Sequence, residues 1–63
     1  MQVFRLYYKG KAELDVKPKD VDEIVQGSRR MIVKAGDANY YATRIEMVER
    51  SENESIPIRN GRF

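Results

Sequence analysis

The sequence contains no cysteine, no histidine and no tryptophan. Disulfides and the usual zinc-ligand sets are thereby excluded. A chain of 63 residues buries only about 60% of the surface its unfolded form exposes, so its stability is marginal unless something besides the core contributes. Self-association is the remaining common device, and a homo-oligomer is expected on that ground. The groups that do chemistry are equally scarce. General acid–base work at neutral pH usually falls to histidine, and nucleophilic catalysis to a serine or cysteine beside a base. Here the serines stand only at 28, 51 and 55, all in stretches that read as loops. The glycines are isolated at 10, 27, 36 and 61, so no loop can cradle a phosphate. The expectation is a protein that is not an enzyme, with no cofactor, no metal and no small-molecule substrate. Asp20, Asp22 and Glu23 have the flavour of the first acids of a calcium loop, but the rest of such a loop is missing and they read as a solvated turn.

Long apolar runs are also lacking. Met1 to Lys9 alternates instead of forming a signal-peptide core or a membrane span. With no cysteine to suggest an oxidising compartment, a soluble cytoplasmic protein with no membrane partner is expected. Asn53-Glu54-Ser55 then carries no glycan. Charge of one sign is scarce too. Residues 1–34 hold eight Lys/Arg against five Asp/Glu and residues 35–63 hold four against five, which gives +3 and −1 and sums to the net +2. Such a balance is compatible with nucleic-acid contact without pointing to it.

What the chain does have is alternation. Phe4, Leu6 and Tyr8 alternate with Val3, Arg5, Tyr7 and Lys9; Gly10 interrupts; Ala12, Leu14 and Val16 then alternate with Lys11, Glu13, Asp15 and Lys17. This is the pattern of a β-hairpin with one buried face. Pro18-Lys19-Asp20 is a turn, with at most one short helical turn near residues 19–24, and a short strand follows at Glu23 to Gln26. Arg30 to Lys34 is a β-branched run, Gly36-Asp37-Ala38-Asn39 is turn chemistry, and Tyr40 to Arg50 reads as a long strand with Tyr41, Thr43, Ile45 and Met47 on one face. A break or bulge near Thr43-Arg44 would split it. Ser51 to Ser55 has no apolar residue, so residues 1–50 read as one domain and 51–63 as a polar tail. Ile56 and Ile58, alternating about Pro57, offer a short edge strand at 56–58.

Five or so short strands in order cannot bury both faces of a flat sheet, but curled into a small, partly open antiparallel barrel they can share one core. The fold class is therefore all-β and SH3-like. The expected core is Phe4, Leu6, Tyr8, Leu14, Val16, Ile24, Ile32 and Ile45, with the choice among Met31, Ile32 and Val33 open. The series Tyr8-Lys9-Gly10-Lys11, a strand, a turn, Arg30-Met31-Ile32 and a further hairpin resembles the small archaeal Sul7d-type chromatin proteins over about residues 1–50. The resemblance implies the barrel topology. DNA binding is not carried over, because the tryptophan on which that family stacks DNA and its C-terminal helix pattern have no counterpart in this chain.

Two tyrosine pairs, Tyr7-Tyr8 and Tyr40-Tyr41, stand out. Neighbours in a strand point to opposite faces. The alternation puts Tyr8 and Tyr41 inside and Tyr7 and Tyr40 outside, so the first strand's outer face reads Val3, Arg5, Tyr7, Lys9. An aromatic flanked by cations suits a protein interface or a stacked base beside phosphates, and equally a tyrosine that packs under Lys and Arg stems. Arg29 and Arg30 at the middle hairpin tip, with Lys34, form a second basic patch. Glu46, Glu49, Glu52 and Glu54 oppose it in sign, as head-to-tail or two-fold association would require. The candidate binding surface is thus Arg5, Tyr7, Lys9, Arg29, Arg30, Lys34 and Tyr40. The function expected is that of a small adaptor or regulatory module, of the size of bacterial or phage accessory proteins, acting by protein–protein contact. The alternative is a nucleic-acid-binding barrel using the same basic and tyrosine surface.

Overall fold

A computed structural model describes residues 1–59; the 60–63 part of the predicted tail lies outside the described residues. The chain is all-β. Seven strands run in order: β1 (Gln2–Tyr8), β2 (Lys11–Val16), β3 (Glu23–Gln26), β4 (Met31–Ala35), β5 (Ala38–Ala42), β6 (Arg44–Glu49) and β7 (Ile58–Arg59), with one 3-10 turn at Pro18–Asp20. They form a four-stranded sheet in the order β6-β1-β2-β7 and a three-stranded sheet in the order β3-β4-β5. The two sheets are not closed into the five-stranded barrel of the sequence reading. The strand count rises from five to seven because Ile58–Arg59 forms β7 and because the run from Tyr40 to Arg50 breaks at Thr43, where the sequence predicts a break. There the chain leaves one sheet for the other, and the Thr43 amide and hydroxyl both donate to the carbonyl of Tyr7.

The β1–β2 hairpin forms where the alternation predicts. Lys9 and Gly10 occupy its two-residue turn with φ of 51° and 83°, the pair of positive values that matches the right-handed twist of the flanking strands. Register is Phe4 opposite Val16 and Leu6 opposite Leu14, but Tyr7 lies opposite Ala12. Glu13 is the extra residue of a β-bulge.

Leu6 and Val16 from the four-stranded sheet meet Val33, Ala35 and Ala42 from the three-stranded one, with Phe4, Leu14, Val21, Tyr40 and Ile45 packed around them. Full burial of a valine or leucine side chain contributes about 1.5–3 kcal/mol, so this small cluster is the main support of the fold. Three expected core residues fall elsewhere. Ile24 is 41% exposed on the outermost strand of its sheet, Tyr8 is 36% exposed at the hairpin's end, and Tyr41 is 50% exposed. Val33, not Ile32, is the core member of its run. The Tyr40/Tyr41 assignment is reversed because alternation counted back from Ile45 does not survive the break at Thr43. In β5 the inward residues are Tyr40 and Ala42.

The other face of the four-stranded sheet is also covered. Val3 is fully buried although it is outside the main cluster. The chain from residue 50 to 59 returns across this side. The Arg50 amide donates to the Met1 carbonyl, the Asp15 amide donates to the Pro57 carbonyl, and β7 pairs parallel with β2, Ile58 opposite Asp15.

Candidate functional site

The predicted face Val3, Arg5, Tyr7, Lys9 is used internally along most of its length. Arg5 donates from Nε to Asp15 Oδ1 at 2.9 Å and from Nη2 to Asp15 Oδ2 at 3.1 Å, and its Nη2 lies 3.2 Å from Glu54 Oε2. Arg50 Nη1 donates to the same Asp15 Oδ2, and Arg50 Nη2 to the Glu54 carbonyl at 3.3 Å. Two cations and two carboxylates thus form a closed, neutral network with Asp15 wholly out of water. Burial alone would raise the Asp15 pKa. The hydrogen bonds from Arg5 and Arg50, with their charges, outweigh it and hold the carboxyl below its ordinary value of 3.8. Asp15 in turn raises Arg5 further above the usual guanidinium range, against the opposing effect of burial.

Tyr7 is half-buried, its ring covered by the Arg44 guanidinium at 3.8 Å. Arg44 also pairs with Glu46 at 2.8 Å, and that hydrogen bond raises its pKa. Lys9 sits on the turn, exposed, 5.5 Å from the Tyr8 ring. Tyr40 is in the core periphery. The structure therefore does not bring Arg5, Tyr7, Lys9 and Tyr40 together as one open surface.

It sets the second group on the three-stranded sheet, with Arg29 and Arg30 at the β3–β4 tip and Lys34 at the other end of β4. β4 is the central strand of the three-stranded sheet, and with Val33 and Ala35 turned to the core, Ile32 and Lys34 face outward, following Arg30 just before the strand. In register across this outer face, Val25 lies opposite Ile32 and Ile32 opposite Tyr41. An apolar row crosses all three strands. The Arg30 guanidinium lies 4.5 Å over the Tyr41 ring, within cation–π range. Lys34 is held loosely by Glu23 at 3.9 Å. Among the described residues no ion pair engages Arg29 or Arg30.

Two shallow grooves flank the row. One, of about 450 Å³, is lined by Val25, Gly27, Ser28, Arg29, Arg30 and Ile32. The other, of about 390 Å³, is lined by Tyr8, Glu13, Leu14, Arg30, Asn39, Tyr40 and Tyr41. Arg30 is shared by both. Arg29, Arg30 and Lys34 are legible in the sequence; Val25, Ile32 and Tyr41 are not, the last two because alternation places them in the core. The signal for them is the outward alternation Arg30, Ile32, Lys34, which is legible once Val33 is taken as the buried member.

Among the described residues no group of three or more acidic side chains could hold a metal ion, and no helix is long and apolar enough to cross a membrane. Comparison with protein-family models, curated proteins and solved structures gives no match.

Proposed function

We propose that the chain is a small, non-catalytic, cytoplasmic module that acts by protein–protein contact through the outer face of its three-stranded sheet. The observation that carries this reading is the in-register row Val25, Ile32, Tyr41 with Arg30 stacked on its end. A half-buried apolar strip ending in an exposed tyrosine and arginine has the composition of an interface centre, where fully desolvated aromatic and arginine side chains supply most of the binding energy. The shared core of two small sheets supports an SH3-like arrangement that presents this face.

Several features weigh against the nucleic-acid alternative. Arg5 is spent on Asp15 and Glu54, Tyr7 is covered by Arg44, and Lys34 shares its face with Glu23. Lys9, Arg29 and Arg30, the cations of this surface without an ion pair among the described residues, are few beside the six to ten phosphate contacts typical of strong backbone binding.

The test is affinity purification of the tagged chain from its own cells, compared with an Ile32→Asp variant and a Lys19→Ala control. A protein recovered with the parent and the control but lost with Ile32→Asp is the expected result, provided the variant's melting temperature is unchanged. Light scattering distinguishes a second copy of the chain from a different protein. Retention of every partner by Ile32→Asp overturns the reading.

A further inference from the structure

We infer that the partner binds as an added β-strand along the free side of β3, with two adjacent apolar residues opposite Ile24 and Val25 and a carboxylate reaching the Arg29–Arg30 tip. This rests on the outer sheet face being a protein-contact surface and specifies the contact. β3 is an outermost strand of its sheet, so among the described residues one side of its backbone has no neighbouring strand. Natural sheets protect such an edge by keeping it short or by placing charge, above all lysine, proline or a bulge on it; β3 is short and carries one charge, Glu23, at the end away from the tip. It reads Glu-Ile-Val-Gln, without lysine or proline, and its register with β4 is unbroken from Glu23 to Gln26. Both of its apolar side chains remain accessible. Ile24 is 41% exposed, and Val25 is half-buried on the outer face.

A strand laid beside β3 extends the row Val25, Ile32, Tyr41 by one position and covers Ile24 on the opposite side. Alternation then demands apolar residues at two successive positions of the incoming segment, one for each face. Charge fixes the rest of the motif. At the β3–β4 tip the 450 Å³ groove is lined by Arg29 and Arg30 together with Gly27 and Ser28, and neither guanidinium has an acidic partner among the described residues. Guanidinium forks bind carboxylates in two-pronged fashion. At the far end Glu23 repels an acid, so the carboxylate belongs only at the tip end.

A second copy of the chain fits less well. Among the described residues its matching segment is its own β3, Glu23-Ile24-Val25, whose acid already pairs with Lys34 at 3.9 Å; a dimer of the free chain in light scattering would overturn the inference in favour of that pairing.

A phage-displayed library of random octapeptides, panned on the folded full-length chain, tests the inference, with a mixed-sequence single-stranded DNA oligonucleotide as a parallel arm. The expected result is enrichment of peptides with two adjacent apolar residues followed or preceded within a few positions by Asp or Glu. Their affinity falls about tenfold or more in an Arg29→Glu/Arg30→Glu variant, and they slow amide exchange within residues 23–26. No enrichment, enrichment of peptides without acids, or exchange protection elsewhere overturns the inference. So does saturable oligonucleotide binding, lost in the same variant, with no peptide enriched. If Ile32→Asp still sheds a protein partner in those cases, strand addition alone is wrong; if it sheds none, the contact-surface reading fails as well.

Discussion

Arg5 and Asp15 face each other across the β1–β2 ladder and form a two-pronged ion pair, at 2.9 and 3.1 Å, with the aspartate fully removed from water. Removing one member of a buried pair leaves the other desolvated and unpaired, at a cost of about 3–5 kcal/mol. Asp15→Asn keeps the shape and removes the charge that two arginines share. A loss of about 3 kcal/mol is expected in urea denaturation, a large fraction of the stability of a domain this small. Arg50→Ala leaves the Arg5 pair intact and detaches the return of residues 50–59, so a smaller loss of about 1–2 kcal/mol is expected.

The same pair sets the acid limb of stability. Asp15 has a lowered pKa in the folded chain, so below its ordinary value of 3.8 the unfolded carboxyl takes up a proton first. The stabilisation is fully present above that value and is lost as pH falls from it through the folded pKa. Stability is therefore expected to decline steeply with acid below about pH 4, and the slope to flatten in Asp15→Asn, as read from urea midpoints across pH 2–6.

Lys9 carries a positive φ of 51° in the hairpin turn, a conformation that costs a residue with a Cβ about 1–2 kcal/mol. Asparagine tolerates it better, and Asn-Gly is the favoured dipeptide for this turn. Lys9→Asn is expected to raise stability by about 0.5–1 kcal/mol, a gain of a few degrees in melting temperature. Gly10, at φ 83° with open space where a Cβ would stand, pays only backbone strain when replaced. Gly10→Ala is expected to lower stability by about 1–2 kcal/mol.

Tyr40 and Tyr41 separate fold from recognition. Tyr40 packs against the core cluster and Tyr41 is 50% exposed. Tyr40→Ala is expected to destabilise by about 2–4 kcal/mol. Tyr41→Ala is expected to stay within about 0.5–1 kcal/mol of the parent while abolishing partner binding. Thermal melts of the two variants, set beside the affinity purification, check the contrast.

The hairpin, its glycine turn and the all-β class were legible because period-two alternation needs no tertiary information. Two things were not. A strand's outer face is solvent-exposed only if nothing returns over it, and Arg5 is covered by a segment whose Ser51 to Ser55 run has no apolar residue to announce packing; what docks it is Arg50 and Glu54, through charge, together with β7 on β2. Alternation also carries no phase across a break, so the exchange of sheets at Thr43 turned Tyr41 outward and Tyr40 inward. The candidate tip at Arg29 and Arg30 was visible as charge between two strand patterns. Its apolar complement, Val25 and Ile32, depended on which residue of the Met31 to Val33 run points inward.

A photo-crosslinking residue placed at Tyr41, with a second copy of the experiment at Glu52 on the opposite surface, tests the contact face most directly. Light-dependent adducts to protein at position 41, absent at position 52 and competed by unlabelled parent chain, are the predicted result. Nuclease-sensitive adducts at 41, or protein adducts at 52 and none at 41, would contradict it.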